Sequence, residues 1–489
     1  MTSHGCKSRS FKSYLATQFL GAFNDNAFKI VISLFALRIF VDPQMHARYM
    51  SLISALFIIP FLVCSPYAGQ IADRFSKRNI IVVLKAVEIV VMLLGLWAFM
   101  SGKLFWMIVV LFLMTVQSAF FGPAKYGILP EMLEEKELSQ GNGYVGMWTF
   151  LAIILGTAFG GVLMQLVDGD ITRIAWAFVM ISMLGTVSSL FIQKTDVALS
   201  QRRFQANFAV DFWEYFKRVK ARKAMFLTLL AVNYFWFLGA VFQTNVLLYG
   251  KNILVLTDIQ TSLLLVAVSF GIGIGSLLAG KLSEGKIEFG LVPVGAVGLT
   301  VFSFFLGAPA LGFSDALLRI FVLGISAGFY TVPLNSFFQK NSPQEERGKY
   351  LAVLNASNAF AVLMGAGVMW LLGDAMDFNA RQIFFIMGAV SLFGTIYILR
   401  TLPDAFLRFF NWVFSHTLYK IRTVGVENIP EAGGALLVCN HVSFVDWALI
   451  MAATKRHVRF LMHRRFYDHP IFGPLCRVMQ AIPIAMEDS

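Results

Sequence analysis

The chain has 489 residues, of which 57% are hydrophobic and only 14% are charged, and its net charge is +12. Soluble domains carry about 25% charged residues, so this composition excludes a soluble globular protein and indicates many membrane spans. The positive excess fits the enrichment of Lys and Arg in cytoplasmic membrane loops. A nucleic-acid partner is not expected, because no soluble segment carries a basic stripe interleaved with aromatic residues.

The cysteines are scattered at positions 6, 64, 439 and 476 without CxxC spacing. They predict neither a disulfide framework nor a metal site, and no motif calls for a cofactor. The first apolar segment follows basic residues but lacks a small-residue cleavage site. It is therefore predicted to be a retained helix and not a signal peptide.

The first apolar run, 14–40, is long enough to cross a bilayer but has polar residues in its middle, namely Asn24, Asp25, Asn26 and Lys29. Such groups at membrane depth usually face a bundle interior or a water-filled cavity. Asp25 and Lys29 are four residues apart, so we expect them to pair on one helix face. Two interpretations follow: a site that lines a transport path, or an ion pair that only locks helices together.

Apolar segments recur along the chain and predict twelve membrane helices, at residues 14–40, 49–71, 79–100, 104–121, 143–167, 173–193, 224–249, 259–280, 289–312, 316–338, 350–373 and 379–399. Alternate connections between them are rich in Lys and Arg, and the intervening ones carry about one basic residue each. This asymmetry predicts that both termini are cytoplasmic.

A long basic connection, 194–223, divides the helices into six and six, which suggests two related halves. Phe208, Phe212, Tyr215 and Phe216 cluster on one side of a helix within it. We expect an amphipathic helix lying on the membrane surface, with a plain linker helix as the alternative.

The loop after the second helix contains Gly69, Asp73, Arg74, Lys77 and Arg78. It resembles the Gly-x-x-x-Asp-Arg-x-x-Arg-Arg loop of the major facilitator superfamily, with Lys77 replacing one arginine. Gly69 permits close helix approach, Asp73 can cap a neighbouring helix, and the two arginines can bind an acidic partner. The resemblance implies a twelve-helix bundle in which these five residues form a conformational latch.

Two further stretches, 121–131 and 333–339, resemble the lysophospholipid transporter branch of that superfamily, together with the Asn-Asp-Asn of the first helix. The resemblance implies transport of lysophospholipid from the outer to the inner leaflet of the bacterial inner membrane. The Gly122-Pro123 step before Lys125 is also typical of a helix terminator, which is the alternative for that stretch.

Beyond residue 403 an apolar strand is predicted at 435–439, followed by Asn-His-x-Ser-x-x-Asp with His441 and Asp446. This pattern resembles the glycerolipid acyltransferases, of the 2-acylglycerophosphoethanolamine type. The resemblance makes His441 the general base and Asp446 the group that orients it, a pairing that suits imidazole chemistry near neutral pH. The family's later Glu-Gly-Thr-Arg block does not follow, so we expect an incomplete and inactive domain.

The sequence therefore predicts an all-α membrane protein: a twelve-helix major facilitator bundle followed by an incomplete α/β acyltransferase domain. The predicted boundaries are 1–193, 194–223, 224–402 and 403–489. The predicted function is lysophospholipid transport for reacylation, with membrane lipids around it and an acyl carrier protein or acyl-donor ligase as implied partners. The alternatives are a membrane-anchored lysophospholipid acyltransferase and a carrier for another amphipathic solute.

Overall fold

The computed structural model describes residues 5–39, 43–166, 171–195, 205, 207–283, 285–309, 312–418, 421–425, 428–430, 433–443, 445–454, 456, 458–470 and 472–485. They fall into two compact units. The first comprises Met1–Ile287 and Gly295–Leu392, and the second comprises Glu288–Val294 and Phe393–Ser489. The four predicted boundaries stay a prediction.

The first unit is a helical bundle. Its first half consists of α1 (Arg9–Ile39), α2 (Pro43–Ala72), α3 (Lys77–Met100), α4 (Leu104–Gly127), the short α5 (Leu129–Met132), α6 (Leu138–Leu166) and α7 (Ile171–Leu190). A linker helix, α8 (Phe208–Ala221), follows. The second half contains α9 (Lys223–Leu248), α10 (Asp258–Leu282), α11 (Leu291–Gly307), α12 (Phe313–Asn341), α13 (Arg347–Met369) and α14 (Ala380–Thr401).

Eleven helices in the described part of the chain are long and apolar enough to cross a membrane. The remaining predicted span, the ninth, corresponds to α11, which is shorter at 17 residues. The order and number of the predicted helices are thus confirmed. The helix terminator expected at Gly122-Pro123 is wrong, because α4 continues through Pro123 to Gly127. Proline is tolerated inside membrane helices where neighbouring helices and local adjustments satisfy the freed backbone groups.

The interior of the first half is built around α1. Phe28 packs edge-to-face against Phe99 and Phe178, with ring centroids 5.6 and 5.3 Å away. A second apolar cluster surrounds the fully buried Phe11 and Tyr14 nearer the start of the helix. Because α1 is enclosed on these sides, its polar residues are held against α3, α4 and α6.

The two halves approach closely at one end of the bundle, where α2 and α12 end and α3 and α13 begin. We call this end the basic face, since the Lys- and Arg-rich connections lie there. A Cβ on Gly69 of α2 would lie 2.6 Å from the Cβ of Ala352 on α13. A Cβ on Gly143 of α6 would lie 2.5 Å from the carbonyl oxygen of Ser276 on α10. Small residues at such crossings allow membrane helices to pack backbone against backbone.

The linker helix α8 packs against α13. The Tyr215 hydroxyl donates to Glu346 over 3.1 Å, and Arg218 donates to the same carboxylate over 3.1 Å. Asp211 pairs with Lys349 at 3.3 Å. The helix predicted from the aromatic residues is confirmed, but Tyr215 is buried and faces protein, because its hydroxyl finds an acceptor in Glu346, just before α13.

Residues at and just before the start of α8 contact the first half instead. Gln205 donates its backbone N–H to Gln70 Oε1 over 2.7 Å and accepts from Gln70 Nε2 over 3.0 Å. The Phe208 ring lies 6.3 Å from that of Tyr67. Asn207 caps the helix by accepting from the backbone N–H groups of residues 209 and 210.

The second unit contains α15 (Pro403–Leu418), α16 (Asp446–Ala453), α17 (Arg464–Tyr467), α18 (Phe472–Val478), β1 (Leu461–His463) and β2 (Ile482–Ile484). The two strands pair in parallel, and Asn411 of α15 donates to the Ala448 carbonyl over 2.8 Å. The strand predicted at 435–439 is wrong: its described residues form no ladder, and Leu436 and Val438 are 85% exposed. An apolar run becomes a strand only where a partner strand accepts its hydrogen bonds.

Candidate functional site

Polar side chains from α1, α3, α4 and α6 collect inside the first half. We call them the polar cluster; its members are Gln18, Asn24, Asp25, Lys85, Glu88, Ser118, Lys125 and Thr149. Asp25, Ser118, Lys125 and Thr149 are partly exposed, whereas the other four are buried. Ionisable groups at this depth in a membrane protein line cavities or pair with one another, and two members of the cluster, Lys85 and Glu88, form a pair.

A buried ion pair forms the closed side of the polar cluster. Lys85 Nζ lies 2.5 Å from Glu88 Oε2, and both side chains are only 2% exposed. Asn24 donates to the other Glu88 oxygen over 3.2 Å. Gly21 leaves room for the ammonium group, since a Cβ there would collide with Lys85 Nζ. Lys85 and Glu88 are three residues apart on α3, so helical geometry places both side chains on one face.

Asp25 points to α4. Its Oδ2 accepts from the Ser118 hydroxyl over 2.6 Å, and its Oδ1 is buried without a hydrogen-bond partner. The expected pair with Lys29 is wrong. Lys29 Nζ lies 4.4 Å from the centre of the Phe57 ring on α2, because a cation is attracted to an aromatic face and the side chain leans that way.

Asn26 is the other predicted path residue outside the cluster. It donates to the carbonyl of Ala22, one turn earlier on its own helix, over 2.7 Å. Of the four residues predicted on the path, the structure therefore brings Asn24 and Asp25 together and places Asn26 and Lys29 elsewhere. Asn24, Asp25 and Asn26 are consecutive on a helix and cannot all face one side, whereas Lys29 leans toward the Phe57 ring.

A second arm of the polar cluster lies about two turns nearer the basic face. Lys125 Nζ donates to the Thr149 hydroxyl over 3.1 Å, and Thr149 donates to Gln18 Oε1 over 2.9 Å. The Tyr14 hydroxyl donates to the Lys125 carbonyl over 2.8 Å. Sequence reasoning did not place this arm in a site. The sequence did contain an indication of this arm, a lysine within an apolar stretch. The neighbouring Gly-Pro step suggested the end of a helix instead.

Asp73 is a latch residue that joins the two halves at the basic face. Asp73 accepts from the backbone N–H of Gly348 over 2.5 Å and from that of Lys349 over 3.0 Å, and so caps the start of α13. Burial raises the pKa of this carboxyl to about 7, although both N–H groups act in the opposite direction. Gly348 has no side chain that would separate the two helices.

Lys77 and Arg78 make their contacts within the first half. Lys77 pairs with Glu131. Arg78 donates to the carbonyls of Leu190 and Ile192 at the end of α7, each over 3.1 Å. The acidic partner expected for Arg78 is wrong, because the free carbonyls of a helix end are equally good acceptors for a guanidinium. Arg74 lies in the turn between α2 and α3.

Further side-chain contacts between the halves lie at the basic face. Asn142 of α6 and Gln339 of α12 are buried and exchange two hydrogen bonds, of 2.9 and 2.8 Å. Lys340 pairs with Glu135 nearby. These contacts close the bundle at this end.

The predicted dyad of the second unit is formed. His441 Nδ1 lies 2.8 Å from Asp446 Oδ2. The same oxygen accepts from the backbone N–H groups of Val442 and Ser443, which lower the pKa of Asp446. The His441 side chain is 76% exposed. Among the described residues, no group of three or more His, Cys, Asp or Glu side chains could hold a metal ion.

Two family models match the chain. Residues 15–366 match the Major Facilitator Superfamily, and residues 420–489 match the family described as Acyltransferase. The second match includes both members of the dyad.

Curated relatives align with most of this chain. The chain is 29% identical over 364 residues to proteins named "Lysophospholipid transporter LplT" from Yersinia pestis (strain Pestoides F) and from Yersinia pseudotuberculosis serotype I (strain IP32953). Each alignment covers 73% of this chain and 82% of the relative.

Solved structures share the fold. The human organic anion transporter TETRAN is 14% identical, with a TM-score of 0.60 over 79% of this chain and 99% of its own. The transporter FucP in its outward conformation is 15% identical, with a TM-score of 0.62 over 79% of this chain and 97% of its own. At these identities the likeness concerns the fold alone.

The Lys85–Glu88 pair generates a test of stability. Lys85→Met leaves Glu88 buried without its counter-ion, so we expect a loss of about 3–5 kcal/mol, measured as a lower unfolding temperature of the purified protein. The double variant Lys85→Met/Glu88→Gln removes both charges and should recover most of the loss. A double variant no more stable than Lys85→Met would contradict the pairing.

Proposed function

Because the chain belongs to the major facilitator superfamily, we propose that it carries lysophospholipids across the bacterial inner membrane. The observation that carries this proposal is Asp25, a carboxylate in the middle of α1 with one oxygen unpartnered inside the polar cluster. An unsatisfied buried acceptor at membrane depth is costly, and a ligand that donates a hydrogen bond relieves this cost.

The chemistry of the lipid fits this acceptor. The ammonium group of lysophosphatidylethanolamine donates hydrogen bonds, and its single acyl chain suits the apolar surroundings of the bundle. Asn24 Oδ1 is a second buried acceptor without a partner. The names of the Yersinia relatives support the same substrate class. In this proposal Asn26 and Lys29 lie beside the lipid path and do not line it.

The charges of the connections support an inward direction of transport. The basic face lies in the cytoplasm in this proposal, since Lys and Arg accumulate on that side of bacterial membranes. The contacts between the halves then close the cytoplasmic end, and the lipid is taken up from the outer leaflet. Release inward would supply the lysophospholipid that an acyltransferase consumes.

The latch has a role in this cycle. The Asp73 contacts with the start of α13 hold the halves together at the basic face, and they must break before the bundle opens there. Gly69 allows the approach on which the contacts depend. Lys77 and Arg78 hold the turn in place from within the first half.

A second candidate function is acyl transfer, favoured by the His441–Asp446 contact. A neutral imidazole oriented by a carboxylate can remove the proton of an acceptor hydroxyl. Here the transmembrane bundle would mainly anchor the enzyme, and an acyl carrier protein or an acyl-donor ligase would supply the acyl group.

The transport proposal is tested with Asp25→Asn, which keeps the side-chain shape and removes the charge. We expect uptake of labelled lysophosphatidylethanolamine by cells to fall at least tenfold with unchanged protein level in the membrane, because a charge-assisted hydrogen bond is lost. Asp468→Asn, on the exposed surface of the second unit, is the matched control. Normal uptake by Asp25→Asn would refute the path, and failure of unlabelled lysophospholipids to compete would point to another amphipathic solute.

The latch proposal is tested at Ala352, which is buried between the halves. In an Ala352→Cys background, Asp73→Ala should increase thiol labelling by a membrane-permeant maleimide, because the halves separate more often at the basic face. Asp404→Ala provides a comparison outside the bundle. Equal labelling with and without Asp73 would contradict the latch.

The enzymatic candidate is tested with the purified full chain, lysophosphatidylethanolamine and an acyl donor. If the chain acts only as a carrier, we expect no acyl transfer. Acyl transfer that disappears in His441→Ala would establish the second candidate instead.

A further inference from the structure

Two opposite charges in the polar cluster face each other without pairing. Asp25 and Lys125 are near enough to interact electrostatically. Within the described residues they form no direct ion pair, and each is instead bound to a hydroxyl group, Ser118 for Asp25 and Thr149 for Lys125. A ligand that bears both charges could satisfy a carboxylate and an ammonium group that are not paired with each other.

The unsatisfied atoms on the two sides are of opposite kinds. Beside Lys125, Gln18 uses its Oε1 to accept from Thr149, and its Nε2 is a buried donor without a partner. Gln18 is only 1% exposed. On the other side, Asp25 Oδ1 is a buried acceptor without a partner. Buried polar groups are nearly always hydrogen-bonded, so the cationic arm lacks an acceptor and the anionic arm lacks a donor.

The spacing of the two arms is set by two helices. Gln18 and Asp25 are seven residues apart on α1, and Ser118 and Lys125 are seven apart on α4. Seven residues are nearly two turns, so each pair lies on one helix face about 10 Å apart. The long Lys125 side chain shortens the gap, because helical side chains lean toward the N-terminal end of their helix. A phosphate and an ammonium joined by two carbons, with a hydrogen bond at each end, span such a gap.

We propose that Lys125, Gln18 and Thr149 form the subsite for the phosphate of the substrate headgroup, opposite an ammonium subsite at Asp25. Lys125 supplies the charge, Gln18 Nε2 supplies a fixed donor, and Thr149 holds both in place. The inference rests on the proposed transport function and deepens it by naming what recognises each end of the headgroup.

The net charge of the polar cluster supports a zwitterionic ligand. Its two carboxylates, Asp25 and Glu88, balance its two ammonium groups, Lys85 and Lys125. A phosphoethanolamine headgroup keeps this balance, whereas a phosphoglycerol headgroup adds one negative charge and offers Asp25 only neutral hydroxyl donors. Uncompensated charge is costly in a water-poor interior, so phosphoethanolamine should bind more tightly.

The experiment measures binding to the purified full chain with three ligands that share a twelve-carbon chain. Lauroyl lysophosphatidylethanolamine has both charges, lauroyl lysophosphatidylglycerol has the phosphate alone, and dodecylamine has the ammonium alone. Lys125→Met should weaken binding of both phosphate-bearing ligands about tenfold or more and leave dodecylamine unchanged. Asp25→Asn should weaken lysophosphatidylethanolamine and dodecylamine but not lysophosphatidylglycerol. Lys103→Met, at the exposed start of α4, is the control.

Gln18→Met separates recognition from folding, because it removes only the unpartnered donor and one neutral acceptor. It should weaken the two phosphate-bearing ligands severalfold, and Lys125→Arg should retain most of their binding. Equal weakening of all three ligands by Lys125→Met, or none for the phosphate-bearing pair, would overturn the subsite while leaving transport standing. Absence of any lysophospholipid binding by the unmodified protein would overturn the transport function and the subsite together.

Discussion

A charged group halfway through a bilayer costs about 2.5–3.5 kcal/mol even on the more permissive scales. This cost organises the first half of the bundle. Lys85 and Glu88 meet it by pairing on one helix, with Asn24 from α1 completing the hydrogen bonds of the carboxylate. Gly21 makes the pairing possible because it has no side chain that would collide with Lys85 Nζ. Because Lys85 and Glu88 neutralise each other, the charges of Asp25 and Lys125 remain available to the proposed ligand.

The same constraint separates the proposed binding residues from the supporting ones. Asp25 and Lys125 each retain contact with a hydroxyl, which is a weaker partner than an opposite charge. Lys29 is not available to a ligand in the same way, because its ammonium group already contacts the Phe57 ring. A protein that only needed to stabilise α1 would gain more from joining Asp25 directly to a lysine.

Much of this arrangement could be predicted from the sequence, and the reasons are local. Helix number follows from the length of apolar runs, and the family follows from a short loop with fixed spacing. The Lys85–Glu88 pair follows from helical geometry. The Asp25–Lys29 pair was predicted by the same geometry and is wrong, because spacing shows which contacts are possible but not which neighbouring helix offers a better one. Lys125 was missed for the same reason: Thr149 and Gln18 come from distant parts of the chain. The strand at 435–439 was predicted from composition, which does not reveal whether a partner strand is present.

The contacts of the linker determine where the two halves can move. Gln205 and Phe208 are tied to α2 by amide hydrogen bonds and ring packing, whereas Asp211, Tyr215 and Arg218 are tied to α13 through charged groups. The stronger set lies inside α8, so this helix travels with the second half as one body. In the proposed transport cycle, the hinge between the halves would then lie at the start of α8, which Asn207 caps.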